Sequence, residues 1–515
     1  MTEKVQFVGS ARIISALTLA SRILGLARDM LCGHIFGASG VMSAFTIGFQ
    51  VPNLFRRLFG EGALSASSIP ILSEHLHHGG TEAVDRLAGR LMGALAAVLV
   101  GVVLLGEIVV LVLRGVVADT ERNALTFGLT ALLLLYTLPI CLSAILGGIQ
   151  NIFGRFAVPA ANAVVLNCFM IAALTTGTWW FADQPNAQVY WLAASVVAAG
   201  VFQLVWQWIS ARGCGLRLRP MWDVRDEAIR SIGRTMIPMT LGLGVVQLNT
   251  LLDGVIAYGL VRSHEGGPAV LFYAQRLYQF PLGVFAIALA TAIFPALSRH
   301  AAAGEMAELA RTVTRGVRVV LFEGFPCMVG LILVRMPLIE TILEHGAFGP
   351  DDTARVAATL VAYALGIWAF GLNQIIVRAF YAMKDATAPL RIAAWMVGLN
   401  LALNLILVFP LEEVGLALST TFCAALQTLW LLVMLARRLG ELDRRAIWTS
   451  TLRTMFATGL MAAAVLIVDV ALADSAAFRS SLIRLACLVG VGAVTYVLAA
   501  WLVRCRELAE VVRRG

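Results

Sequence analysis

The chain has 515 residues, of which 59% are hydrophobic and only 14% charged, and its mean hydropathy is +0.84. A soluble domain carries roughly 25% charged residues, so there is too little polar side chain here to coat a globule, and apolar runs recurring from end to end point to one polytopic helical bundle. The formal net charge of +8 does not imply nucleic acid, because the basic residues gather in alternate loops between the apolar runs.

About fourteen runs are long enough to span by the 20-residue criterion: 11–36, 41–72, 88–113, 124–150, 156–181, 188–211, 235–260, 268–298, 313–334, 354–381, 389–409, 412–436, 450–471 and 481–503. The first does not read as a cleavable signal peptide, since it carries Arg22 and continues into Arg28 and Asp29. Arg22 falls about 15 Å along a helix from Arg12, near mid-membrane. Arg28 and Asp29 are neighbours and are expected to point in different directions, and Gly25 and Gly33 are expected to let the helix bend or break. A guanidinium in hydrocarbon is costly and cannot escape by losing its proton. Such arginines pair internally or face water or an anion.

The second helix holds Pro52-Asn53-Leu54-Phe55-Arg56-Arg57-Leu58-Phe59-Gly60-Glu61-Gly62. Arg57 and Glu61 are four apart and are expected to pair along one face. Arg56 then points elsewhere, towards a ligand or, by snorkelling, towards the membrane surface. The basic connection 212–234 separates the first six helices from the rest. Asp253, inside the seventh span, is a candidate ion or proton site or the partner of an arginine. Arg276 comes early in the eighth span and either reaches outward to the surface or faces an anion. Residues 301–318 read as a short helix along the membrane surface. Asn400 and Asn404 are i,i+4 neighbours suited to interhelical hydrogen bonds.

The expected organisation is two six-helix lobes, 1–211 and 235–436, joined by the linker 212–234 and followed by two helices and a tail in 437–515. A short repeat supports it. Phe49-Gln50-Val51-Pro52 resembles Tyr278-Gln279-Phe280-Pro281, and Ile69-Pro70-Ile71-Leu72-Ser73-Glu74-His75 resembles Phe294-Pro295-Ala296-Leu297-Ser298-Arg299-His300. Both copies fall on the second helix of their half with the same expected orientation, as in parallel repeats. Basic residues in the two sets of loops divide about 26 to 7, and the positive-inside rule then places both termini in the cytoplasm.

Enzyme motifs are not found. The two lysines, Lys4 and Lys384, end no phosphate-binding glycine loop, and no G-x-S-x-G occurs. Eight scattered cysteines form no C-x-x-C and imply no disulfide framework. His75, His77 and His78 read as a solvated loop, so no metal or other cofactor is expected.

Several stretches resemble the MurJ (MviN) lipid II flippase family of the multidrug/oligosaccharidyl-lipid/polysaccharide exporter superfamily. They are Ser21–Asp29, Phe45–Pro70, Tyr273–Pro295, His345–Phe348 and Arg378–Pro389. The resemblance implies fourteen helices in the cytoplasmic (inner) membrane and export of the undecaprenyl-diphosphate-linked muropeptide lipid II. It also implies that Arg22, Arg28, Arg56 and Arg276 bind the headgroup, with Asp29, Arg57 and Glu61 in support, and that the last two helices form a groove for the polyprenyl tail. Expected partners are lipid II and membrane lipids, with no nucleic acid and a monomeric chain. The family pattern is broken at Ser43 and Gln275, where acidic residues are usual, leaving a more positive site and an open question of what drives transport. Competing readings are an exporter of another polyprenyl-linked glycan or a drug, and a non-transporting scaffold of the same fold.

Overall fold

The computed structural model describes residues 2–117, 120–223, 226–261, 264–440, 442–472 and 480–512. Arg225, Arg262, Arg479, Arg513 and Arg514, counted among the loop charges, lie outside the described residues, as do the side chains of Lys4, Arg12 and Glu61. In chain order the helices are α1 (Thr2–Phe36), α2 (Gly40–Phe55), α3 (Ala63–Val117), α4 (Glu121–Leu134), α5 (Thr137–Ile152), α6 (Ala157–Trp180), α7 (Pro185–Arg212), α8 (Glu227–Leu260) and α9 (Gly267–Leu282). They continue as α10 (Ala288–Ala302), α11 (Met306–Leu333), α12 (Arg335–Ile342), α13 (Pro350–Ala364), α14 (Ile367–Ala382), α15 (Thr387–Leu439), α16 (Arg444–Ala471), α17 (Ser481–Leu502) and α18 (Arg506–Val512). Nine helical stretches among the described residues are long and apolar enough to cross a membrane, and the pair α13–α14, bent by 43°, makes a tenth. Two expected spans, 389–409 and 412–436, merge in α15 across a break at Glu412 (φ 50°).

The chain divides into two compact units, Met1–Val255 and Ile256–Gly515. In the first, α1 packs on α6, α2 on α4, and α5, α6 and α7 on one another. Polar side chains tie the last three together: Gln207 Nε2 donates to Asn162 Oδ1 (3.1 Å), and Asn162 Nδ2 to Ser143 Oγ (2.9 Å). Apolar burial drives little helix association in lipid, so such interhelical bonds and close packing do more of the work.

In the second unit α11, α14 and α15 surround a core that includes Val313, Val317, Ile375, Ile376 and Leu431. The helices α16 and α17 pair, and Tyr496 Oη donates to the Phe322 carbonyl of α11 (2.5 Å). The expected surface helix 301–318 is not separate. Gly304 (φ 72°) makes the turn after α10, and α11 runs unbroken from Met306 to Leu333. Glu308, Arg311 and Arg315 belong to its first turns, where helix propagation is cheaper than a second nucleation.

Each unit contains one helix that bears a proline and then widens. Pro52 in α2 precedes a π-helical segment, Arg56–Gly62, and Pro281 in α9 precedes another, Gly283–Ile287. Proline removes a backbone donor and crowds the preceding turn, and π segments gather at functional sites. The sequence repeat is therefore matched by a repeated local distortion.

The run Arg378–Pro389 has a capping role. Asp385 Oδ1 accepts from the backbone N–H groups of Thr387 and Ala388 (both 3.0 Å) at the start of α15, and Asp385 also pairs with Arg438. The Ala388 N–H, with Arg438 after it, holds this carboxyl below the usual carboxylate range. A depressed folded-state value means the cap stabilises fully above the unfolded value of about 3.9 and is lost as pH falls through the folded one.

Asn400 bonds between the two legs of α15, as expected, and Asn404 supports it from the same leg. Asn400 Nδ2 donates to Ser419 Oγ (2.8 Å), and Asn404 Nδ2 donates to Asn400 Oδ1 (2.9 Å). Asn400→Ala should lower the thermal midpoint of the purified protein by the equivalent of about 0.6–2 kcal/mol. An unchanged midpoint would remove this network from the account of α15.

Candidate functional site

The first helix is not broken at Gly25 or Gly33; α1 is continuous from Thr2 to Phe36. Gly25 instead admits a neighbour. A Cβ at that position would meet Asn167 Nδ2 of α6 at 3.6 Å. Asn167 uses both ends of its amide: Nδ2 donates to the Ser21 carbonyl (3.0 Å) and Oδ1 accepts from Arg28 Nη1 (2.9 Å).

Arg28 and Asp29 do not point apart. Arg28 Nε and Nη2 both donate to Asp29 Oδ1, at 3.0 and 2.6 Å, and each residue is only 8% exposed. Their Cβ atoms diverge on the helix, but the four-bond arginine stem is long enough to fold back. A buried charge without a partner costs several kcal/mol, which favours the fold-back. The result is a buried knot of Arg28, Asp29 and Asn167 joining α1 to α6.

Arg22 differs. It is exposed, and Leu19, Ile23 and Leu26 on the same face of α1 are exposed at 60%, 60% and 46%. No hydrogen bond or ion pair joins Arg22 to any described residue.

Arg56 opens the π segment that follows α2. Its backbone N–H donates to the carbonyls of Asn53 and Pro52, and its Nε donates to Asn53 Oδ1 (3.1 Å). Arg57 is exposed, and its Nη1 donates to Gln247 Oε1 of α8 (3.0 Å). The expected pairing with Glu61 falls on a side chain outside the described residues. Ser43, at the position where the family pattern has an acid, is fully buried and donates to the Ser39 carbonyl (2.9 Å). Asp253 is 2% exposed within α8.

In the second unit α9 presents Arg276 from a firmly held helix. Tyr278 stacks on Tyr363 and Phe370, with centroids 4.9 and 5.3 Å apart. Tyr273 meets Phe348 edge-on at 5.5 Å. Gln275 Nε2 donates to the Tyr363 hydroxyl (3.0 Å). Arg276 is exposed and lies over the Phe272 ring, 4.9 Å from its centroid, a cation–π contact that holds the guanidinium against the helix's own aromatic side chain. Phe348 of the His345–Phe348 match therefore braces the helix that carries Arg276.

The family model described as lipid II flippase MurJ matches residues 32–503. The chain belongs to the MurJ lipid II flippase family. A relative from Vibrio cholerae serotype O1, described as a probable lipid II flippase MurJ, is 32% identical over 503 residues, covering 90% of this chain and 94% of its own. One from Rhizobium tropici with the same description is 33% identical, covering 88% of this chain and 84% of its own. A solved structure of a lipid II flippase MurJ in an inward closed conformation superposes with a TM-score of 0.77 at 23% identity, covering 95% of this chain and 97% of that one. An inward-facing multidrug resistance transporter of the MATE family has the same general fold, with a TM-score of 0.67 at 12% identity and coverage of 82% and 94%.

Asn167, Gln247 and Tyr363 were not identified from the sequence. Asn167 gave one signal, a lone amide inside the apolar run Val164-Val165-Leu166-Asn167-Cys168-Phe169. That signal cannot name its partner. Asn167→Ala should cost roughly 1–3 kcal/mol, because the buried Arg28 donor and the amide's own contacts lose their partner. Thermal unfolding of the purified protein measures this, and an unchanged midpoint would show that the amide does not hold the knot.

Proposed function

We propose that this chain moves lipid-linked peptidoglycan precursor, lipid II, from the cytoplasmic to the outer leaflet by alternating access. Arg22 carries the reading. It is always charged, it stands on an apolar helix face, and it has no hydrogen-bonding or ionic partner among the described residues. An anionic headgroup is the partner that balances it. Guanidinium groups bind phosphate oxygens bidentately, which suits a diphosphate.

In this reading Arg22, Arg28 and Arg56 of the first lobe and Arg276 of the second engage the diphosphate-sugar headgroup. Arg28 exchanges Asp29 for phosphate, and Asp29 re-pairs with it when cargo leaves. Arg57 and Glu61 support the widened turn, and Asp253 is the candidate coupling acid. The lobes are 1–211 and 235–436, joined by 212–234, within a fourteen-helix bundle with both termini cytoplasmic. The pair in 437–515 takes the polyprenyl tail. The lobes rock, the headgroup crosses in water and the tail stays in lipid, which avoids the cost of carrying charge through hydrocarbon. The protein acts as a monomer, as a carrier and not as an enzyme.

In a flippase-depleted strain the wild-type chain should restore growth, and Arg28→Ala or Arg276→Ala should abolish it at equal membrane levels. Depletion should leave lipid II on the cytoplasmic face. Growth with all four arginines replaced would overturn the site, and normal lipid II flipping after depletion would overturn the function.

A further inference from the structure

The segment between α7 and α8 is not a loose connection. Leu216 and Leu218 are buried (2% and 0% exposed) while Arg217 and Arg219 between and after them are exposed, the period-two pattern of extended chain on a surface. That surface is α3. Asp85, Gly89 and Gly93 recur every four residues and so share one face of the helix. Asp85 Oδ1 accepts from the backbone N–H groups of Arg217 and Leu218, both at 2.8 Å. The Met221 N–H donates to the Gly89 carbonyl at 3.0 Å.

The two glycines are required by this approach. A Cβ at Gly89 would lie 2.3 Å from the Arg219 carbonyl oxygen, and one at Gly93 would lie 2.3 Å from that of Met221. Both neighbours are backbone and cannot step aside. Leu218 meanwhile sits at φ 49°, a conformation that persists only where its surroundings over-determine it.

The far end is clamped by charge. Arg90, beside Gly89, places its Nε 3.4 Å from Asp223 Oδ2 and pairs through Nη1 with Asp226. Asp226 is also the cap of α8: its Oδ1 accepts from Ala228 N (2.8 Å) and Ile229 N (3.3 Å). Arg90 thus grips the residue that starts α8, the helix that carries Gln247, the acceptor for Arg57, and Asp253.

We propose that residues 216–223, together with Asp226, form a strap that locks the start of α8 to α3, with Arg90 as its positioning residue, and that transport requires the strap to be fastened. The start of α8 is then held on α3 and does not swing on a free tether. The requirement for transport rests on the flippase reading; the fastening does not.

The test uses the full-length protein. Trypsin cleavage after Arg217 is followed in detergent, and growth of the depleted strain is scored at equal membrane levels. Gly89→Val, Gly93→Val and Arg90→Gln should speed cleavage at least tenfold and abolish growth. Arg90→Lys and Gly101→Val should behave as wild type, the latter because nothing lies within 4 Å of a Cβ at Gly101. Wild-type cleavage rates in both Gly89→Val and Arg90→Gln would overturn the strap. Fast cleavage with normal growth would overturn its role in transport. A wild-type chain that fails to restore growth would instead count against the flippase reading, with the cleavage arm still deciding the strap. Asp85→Asn, which keeps the side-chain shape, covers the case in which a valine variant fails to accumulate; it should also be cleaved faster than wild type, and an unchanged rate would count against the clasp at Arg217.

Discussion

Permanent charge in a low-dielectric helix bundle is the constraint from which the rest of this architecture follows. An arginine there is balanced by a fixed internal partner or by a passing one. Arg28 has the fixed kind. Asp29 and Asn167 enclose it and join α1 to α6, so the charge helps to build the first unit. Arg22, six residues earlier on the same helix, has an exposed face and no such enclosure. Two arginines on one helix thus have different surroundings, one enclosed by protein and the other on an exposed face.

Helix distortions act on the same problem. Pro52 and Pro281 each lead into a π-helical segment, and the first of these begins at Arg56. A widened turn redirects side chains and frees backbone groups, which is tolerated in a membrane only where protein or water satisfies them. The second unit solves presentation by bracing. Tyr273, Gln275 and Tyr278 fix one side of α9 against Phe348, Tyr363 and Phe370, so Arg276 stands on a rigid edge. Gln275, where the family pattern has an acid, keeps a bracing role as a neutral donor to Tyr363. Ser43 is sealed in the helix packing. These two departures put neutral side chains where the family pattern has acids.

Several family-matched residues turn out to be architectural. Asp385 caps α15 and meets Arg438, and Phe348 packs on Tyr273. Motif membership alone did not separate these from cargo-facing groups, because a cap and a ligand-binding group are equally polar in sequence. The same limit applied to Arg28. Its spacing from Asp29 suggested divergence, and only the folded-back side chain, held by an amide 139 positions away, reversed that reading. The linker is a further case: its arginines read as a basic loop, whereas its backbone is the part that docks.

Composition and hydropathy by themselves determined the helical membrane class, because a chain with so few charges can be solvated only by lipid. Motifs determined the family, and intramembrane arginines marked where function had to be sought, because their cost in hydrocarbon is independent of fold. The interhelical role of Asn400 was also legible, since an amide inside an apolar run has to find partners across a packed surface. Tertiary structure alone decided which arginine is enclosed and which is presented. It also decided where α11 begins, and that two glycines on α3 make room for a backbone. Each of these depends on contacts between residues distant in sequence, and local spacing carries no information about which distant group will arrive.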